Sequence, residues 1–282
     1  MKRLLLAIIA LSGAMVSMAQ DTTGTVKIDT TGDGEKVDTI RVGGMIIIKK
    51  KGHDDNEKGN PDIVISTHKR SPKSNLSTNW WIMDIGFANV VDNTDYSSAE
   101  TQAFAPGSSK ETMKLKSKSV NVNLWFFMQR LNIIKHVVNL KYGLGLELNN
   151  YHFDEDRVRF SKNPTVITID HTLSPKKNKL AVDYITVPMM LNFNFTPDRY
   201  NGFGFSAGVS AGYRYSARQK IKMDGDKAKI HDDFDLAKWR IAYIGELNIG
   251  FVKLYGSYAM DNMWDKGLDW TPYNVGLRLS HW

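Results

Sequence analysis

Between Gly202 and Arg218 the chain alternates with a period of two. Phe203, Phe205, Ala207, Val209, Ala211, Tyr213 and Tyr215 fall on one face, and Gly202, Gly204, Ser206, Gly208, Ser210, Gly212, Arg214, Ser216 and Arg218 on the other. The pattern predicts one long strand. At ~3.3 Å per residue it is long enough to cross a bilayer obliquely, for which about 9 to 11 residues suffice. Gly and Ser on the second face suit the crowded interior of a narrow closed barrel, whereas a soluble sheet would show Lys, Glu and Thr to water.

Seven other stretches alternate in the same way. Asn79 to Val91 sets Trp81, Met83, Ile85 and Phe87 against Asp84, Gly86 and Ala88. Ser119 to Gln129 sets Val120, Val122, Leu124, Phe126 and Met128 against Asn121, Asn123, Trp125, Phe127 and Gln129. Val137 to Asn150 sets Val138, Leu140, Tyr142, Leu144, Leu146 and Leu148 against Asn139, Lys141, Gly143, Gly145, Glu147 and Asn149. Ala181 to Phe195 directs Ile185, Val187, Met189, Leu191 and Phe193 outward and Tyr184, Thr186, Met190 and Asn192 inward. Lys238 to Ile249 carries Arg240, Glu246 and Asn248 inside, Phe251 to Met260 carries Lys253, Tyr255 and Ser257, and the last strand carries Asn274, Gly276, Arg278 and Ser280. The expectation is an all-β, eight-stranded antiparallel up-and-down transmembrane β-barrel over residues 79–282, preceded by a short N-terminal periplasmic leader.

Connection lengths add an independent signal. Residues 132–136, 196–201 and Gly250 are short joins, and 92–118, 151–180, 219–237 and 261–272 are long ones. Turns at one end and long loops at the other is the asymmetry of outer-membrane barrels, with the turns in the periplasm. Aromatic side chains fall into two girdles: Trp81, Phe126, Phe193, Phe195, Phe203, Phe251 and Trp282 at the turn end, and Tyr213, Tyr215, Trp239, Tyr243, Tyr258 and Tyr273 at the loop end.

The first residues change the picture from a barrel to an exported one. Lys2 and Arg3, the apolar run from Leu4 to Leu11 and the small residues of Ser17-Met18-Ala19 read as a signal peptide over residues 1–19, cleaved after Ala19. Of 37 basic residues, loss of Lys2 and Arg3 leaves 35 against 30 acidic, a modest excess that speaks against a nucleic-acid partner. The densest basic spots, Lys49 to Lys51 and Lys176, Lys177 and Lys179, read as solvated turns. Residues 20–78 are rich in Asp, Thr, Gly and Lys; within them 21–28, 38–48 and 62–67 read as short strands, in a leader that is either flexible or an arm for a periplasmic protein partner.

With these patterns in hand, residues 79–282 resemble a family of outer-membrane β-barrel domains common in the Bacteroidota, of PorT-like type. The resemblance is carried by the Gly-x-Gly-x-Ser-x-Gly alternation of 202–208, by Tyr142 to Glu147, by Tyr184-Ile185-Thr186-Val187-Pro188, and by the ending Tyr273 to Leu279. It implies an outer-membrane location and a barrel fold, and no assigned activity. Trp282 departs from the pattern, because His281 holds the outward parity that a terminal aromatic residue would take.

Candidate chemistry is sparse. The chain contains no Cys, which excludes thiolate metal sites, iron–sulfur clusters and Cys nucleophiles. Inward positions carry Asp84, Glu147 and Glu246 against Lys141, Arg214, Arg240, Lys253 and Arg278. Eight strands leave room only for side chains, so these charges are expected to pair and fill the lumen. Three loop histidines stand near acids: His152 before Asp154 to Asp156, His171 after Asp170, and His231 before Asp232 and Asp233. Each matches a base with a carboxylate orienter, and each equally matches a polar loop. Acidic tips at Asp92 with Asp95 and at Asp224 with Asp226 lack the spacing of a calcium loop. No helix or Lys-Ser/Thr pair follows the glycines of 202–208, so they do not form a phosphate loop.

The sequence therefore favours a monomeric, non-enzymatic outer-membrane barrel without catalytic, cofactor or metal residues, whose partners are outer-membrane lipid and lipopolysaccharide and whose long loops serve surface recognition or adhesion. The alternatives are an outer-membrane lipid hydrolase using loop-rim His with Asp or Ser, and a soluble lipocalin-like lipid carrier.

Overall fold

Glycine and serine on one face and aromatic or aliphatic residues on the other give the strand from Phe203 to Lys222 its place in a curved sheet, and a computed structural model shows that sheet closed upon itself. The structure describes the backbone of 37–42, 45–50 and 63–67, and residues 74–282 other than 173, 198–201, 224–225 and 281–282. The reading of a signal peptide, the strand at 21–28 and the terminal Trp282 lie outside the described residues.

The chain divides into two units, Met1–Pro72 and Lys73–Trp282. In the first, β1 (Val37–Val42), β2 (Met45–Lys50) and β3 (Ile63–Thr67) form an antiparallel sheet in that order. Residues 38–48, which read as one strand, are two: Val42 pairs with Met45 and Val37 with Lys50 across a hairpin. The Gly43-Gly44 pair between them is the turn signal that the isoleucine run obscured.

The second unit is the barrel. Its staves are β4 (Leu76–Asp92), β5 (Val120–Ile134), β6 (Val138–His152), β9 (Lys177–Asn194), β10 (Phe203–Lys222), β12 (Trp239–Ile249), β13 (Val252–Ala259) and β14 (Trp270–Leu279). Every neighbouring pair is antiparallel, and β14 pairs with β4 to close the ring. Short turns join β5 to β6, β9 to β10 and β12 to β13. The four long connections gather at the opposite end, where they hold helix α1 (Ala99–Phe104), the hairpin of β7 (Val158–Phe160) and β8 (Ile167–Ile169), and β11 (Lys227–His231), which extends the sheet beside β10.

Alternation sets the faces. Ile85, Val187, Met189, Leu191, Phe205, Tyr243, Leu254, Val275 and Leu277 are exposed on the outer wall, while Asp84, Asn192, Ser206, Ser210, Arg240 and Asn274 are buried inside. From Phe203 to Tyr215 the outer face of β10 is apolar. Twelve steps of ~3.3 Å, tilted about 40°, rise about 30 Å, the thickness of a bilayer's hydrocarbon core.

Local irregularities in β4, β5 and β10 shift this parity. Trp80 of β4 pairs with Phe127 and Ile82 with Trp125, so the register is kept while Trp81, at φ 57°, and the facing Phe126 drop out of the ladder. Against β6, Phe126 is an extra residue, a bulge between Trp125 and Phe127, and a second shift lies between Asn132 and Ile134. Both Trp80 and Trp81 therefore point out, as do Phe126 and Phe127, and their rings meet at 5.9 Å (Trp80–Phe127) and 6.0 Å (Trp81–Phe126). The expectation that Met128 faces out and Phe127 in is corrected, since Met128 is fully buried inside. In β10 a bulge lies at Tyr215, between Arg214 and Ser216. Beyond it Ala217, Gln219 and Ile221 face inward and Arg218 outward, reversing the faces expected for Ser216 and Arg218.

Candidate functional site

Glycine makes room for the lumen's side chains. Gly86 of β4 lies opposite Gly276 of β14, and a Cβ at Gly86 would meet the Val275 carbonyl oxygen and the Tyr255 hydroxyl. Around that gap the inward strand positions converge. Asp84, completely buried, accepts from Arg278 Nε and Nη2 at 2.7 Å each, from Trp125 Nε1 at 2.7 Å and from Asn123 Nδ2 at 3.2 Å. Arg278 also meets Glu246, which accepts from Lys141. Its guanidinium lies 5.6 Å from the Trp125 ring centre. Asp84, Arg278, Glu246 and Lys141 thus form one chain of alternating charge drawn from four strands.

A second cluster centres on Glu147. It pairs with Arg240 and accepts from Asn149 Nδ2 at 3.1 Å and Asn274 Nδ2 at 3.0 Å. Asn121 joins it, donating to Asn149 Oδ1 at 2.9 Å and accepting from the Tyr255 hydroxyl at 2.5 Å. Ile82, Trp125, Met128 and Met190 pack as an apolar patch next to the charges. The void lined by Asn123, Trp125, Glu147, Met190, Tyr255 and Arg278 amounts to about 30 Å³, room for only a couple of waters.

Not every inward charge finds its partner in the lumen. Arg214 reaches the loop end, donating to Asp233 Oδ1 at 2.7 Å and to the Leu236 carbonyl at 3.1 Å. That hydrogen bond lowers the Asp233 pKa. Lys253 sits toward the turn end and donates to Ser280 O at 2.7 Å and Oγ at 3.0 Å. Asp183 joins Arg218 on the outer side of the bulge, a pair that the inward assignment of Arg218 concealed.

The loops are folded over this lumen. They read as solvated polar segments in the sequence, yet Phe104, Met113, Phe153, Phe160, Phe234, Leu236, Met263, Trp264 and Leu268 are all buried in one apolar core with Tyr151, Leu180 and Trp270 from the strand ends. Phe160 stacks on Trp264 at 5.9 Å, lies 5.2 Å from Phe234, and Trp264 contacts Phe104 at 5.7 Å, so four separate connections meet at two rings. Backbone bonds tie them: Ala237 N to Met263 O at 2.9 Å, Asp154 N to Lys114 O at 2.8 Å and Asn93 N to Asp269 O at 2.9 Å. Gln219, buried after the bulge, donates to Val158 O at 2.9 Å and accepts from Phe160 N at 3.1 Å, which seats the β7–β8 hairpin. Aperiodic segments give no parity signal; the number of aromatic residues in them was the available clue.

The loop histidines are separated. His171 Nδ1 lies 3.1 Å from Arg157 Nη1, and Arg157 holds Glu155 at 2.7 Å, lowering the Glu155 pKa to about 2. Among the described residues none of His152, His171 and His231 hydrogen-bonds a carboxylate, and no cluster of metal-binding side chains occurs. Asp92 accepts from Thr94 N and the Tyr96 hydroxyl, and Asp95 from Ser97, as turn-forming acids do. Burial, then the acceptor Asp92, raises the Tyr96 pKa.

A closed up-and-down barrel of eight strands, apolar outside, ringed by aromatic residues and packed with polar side chains inside, defines a transmembrane β-barrel of the outer membrane. The family model described as outer membrane protein beta-barrel domain matches residues 85–263, more than half of the chain, and the chain belongs to that family. No curated protein matches it. The protein is accordingly an outer-membrane barrel protein, and its apolar face points outward, opposite to what a lipocalin-like carrier requires.

Proposed function

We propose that this protein is a non-enzymatic, closed barrel that holds a rigid loop dome at the cell surface for recognition or adhesion. The observation that carries the reading is the doubly sealed interior. Ion pairs occupy the lumen, and above them the loops bury an apolar core with the strand ends. Such a core fixes loop conformation, and fixed loops present a defined surface to a partner. The turns face the periplasm in this reading, which places the N-terminal unit there, available to a periplasmic protein. The PorT-like subtype belongs to the same proposal, supported by Tyr184 to Pro188 at the start of the β9 membrane crossing and by the Tyr273 to Leu279 ending.

Epitope insertion tests the orientation. Gly107 is exposed, at φ 70°, with open space around it, and Lys135 is exposed in the β5–β6 turn. A tag at Gly107 is expected to be labelled on intact cells and one at Lys135 only after permeabilisation; the reverse pattern overturns the reading. Release of fatty acid from phospholipid by the purified protein, abolished by His171→Ala, would establish the hydrolase instead.

A further inference from the structure

Beyond the bulge at Tyr215, β10 rises past the aromatic rim and its outer face becomes basic. Lys220 stands opposite Lys179 of β9 on one side and Lys229 of β11 on the other; Lys222 likewise stands between Lys177 and Lys227. Residues directly opposite in register share a face, so the six lysines form two cross-strand rows on three neighbouring strands. Below them Arg218 lies opposite His231, and His152 of β6 extends the first row beyond Lys179. Asp183, on this face, pairs with Arg218, and among the described residues none of the six lysines makes an ion pair. Like charges opposed in a sheet destabilise it. Inside the same barrel the charges run in pairs, so the ladder marks a surface shaped by an anion outside the chain.

We propose that this ladder binds the phosphorylated sugar headgroup of an outer-leaflet glycolipid of the lipopolysaccharide class. Two features select that source of phosphate. The ladder continues the outer face on which Tyr213 and Tyr215 lie, so a bound group is contiguous with the membrane. Its height also fits. Arg218 to Lys222 lie three to seven residues past Tyr215, about 8 to 18 Å above the rim once strand tilt is included. A phospholipid headgroup layer extends only about 5 to 8 Å beyond the hydrocarbon core, whereas a phosphorylated oligosaccharide reaches the upper rows. The inference rests on the loop end facing out of the cell, which the epitope insertions test separately.

The experiment uses the full chain in detergent, with purified rough lipopolysaccharide bearing a phosphorylated core oligosaccharide and its phosphatase-treated form as probes, and native mass spectrometry as the readout. Lys179→Gln/Lys220→Gln/Lys229→Gln is compared with Lys110→Gln/Lys135→Gln/Lys162→Gln, which removes the same charge elsewhere. Heat-modifiable gel migration verifies that each is folded. At about fivefold per surface lysine against an anionic lipid, the ladder variant should lose on the order of a hundredfold in affinity and the control should keep it. The wild-type protein alone should bind the dephosphorylated probe far more weakly, which keeps the test decisive if the triple variant does not fold. Equal binding by the two variants, or indifference to phosphatase treatment, overturns the proposal. So does displacement of the lipopolysaccharide by equimolar inorganic phosphate or heparin, which would assign the ladder to a soluble anion.

Discussion

Replacing Arg278 with Met tests how the lumen is held together. Asp84 is fully buried and receives two of its four hydrogen bonds from Arg278, which also neutralises Glu246. The four-membered chain Asp84–Arg278–Glu246–Lys141 has no net charge; without Arg278 it carries one buried negative charge. Removing one partner of such a group costs about 3–5 kcal/mol, because the remaining ion keeps its desolvation penalty without compensation. Asp84→Asn/Arg278→Met restores neutrality, leaving Lys141 with Glu246, and the amide that replaces the Asp84 carboxylate can still accept from Trp125. The double variant should therefore be more stable than Arg278→Met alone, with a coupling of at least about 1 kcal/mol. Urea unfolding of the reconstituted protein, followed by tryptophan emission, measures both. A single variant within about 1 kcal/mol of the wild type, or a double variant that costs the sum of the two singles, would refute a charge-coupled lumen.

Other consequences are local. Gly86→Val places methyl groups against the Val275 carbonyl and the Tyr255 hydroxyl, so no folded band is expected in heat-modifiable electrophoresis, whereas insertion at the open Gly107 should leave that band unchanged. Trp264→Ala opens a cavity where Phe104, Phe160 and Trp270 meet, at a cost of about 3–5 kcal/mol to the dome. Trypsin should then cut the loops while the barrel band persists; loops as resistant as the wild type would show that the dome does not depend on this core. Glu155 has a folded pKa depressed by its hydrogen bonds from Arg157, so its contribution is present above the ordinary carboxylate range and is lost as pH falls through about 2. A carboxyl titration by NMR should show that midpoint, and one near the unperturbed glutamate value would contradict the pair.

The staves were legible because a half-buried strand writes its faces into the sequence at period two, and Val138 to Leu148 or Phe203 to Tyr215 do so without interruption. A bulge inserts one residue and reverses the parity after it, so Met128, Phe127 and Arg218 came out on the wrong faces. The doublets Trp80-Trp81 and Phe126-Phe127 carried the signal, since two adjacent aromatic residues on one strand satisfy a lipid-facing wall only if both point out. Inward charges such as Asp84 and Arg278 could be read from parity alone. Their partners depended on shear between strands far apart in sequence, which no local pattern encodes. The dome was illegible for a related reason: Phe153, Phe160, Phe234 and Trp264 come from separate connections with no common period. Lys177 and Lys179 looked like a turn until pairing placed them on β9 beside Lys222 and Lys220.

Spin-label scanning along β10 tests the central claim most directly, and the absence of cysteine lets single labels be introduced without other changes. In the reconstituted protein, oxygen accessibility from 203 to 222 should be high at the odd positions through 215. Past the bulge, accessibility should move to 216, 218, 220 and 222 and change from oxygen to a water-soluble relaxation agent. Alternation that continues unbroken through 216, or oxygen accessibility at Gly204, Ser206 and Ser210, would contradict an outward apolar wall around a filled lumen.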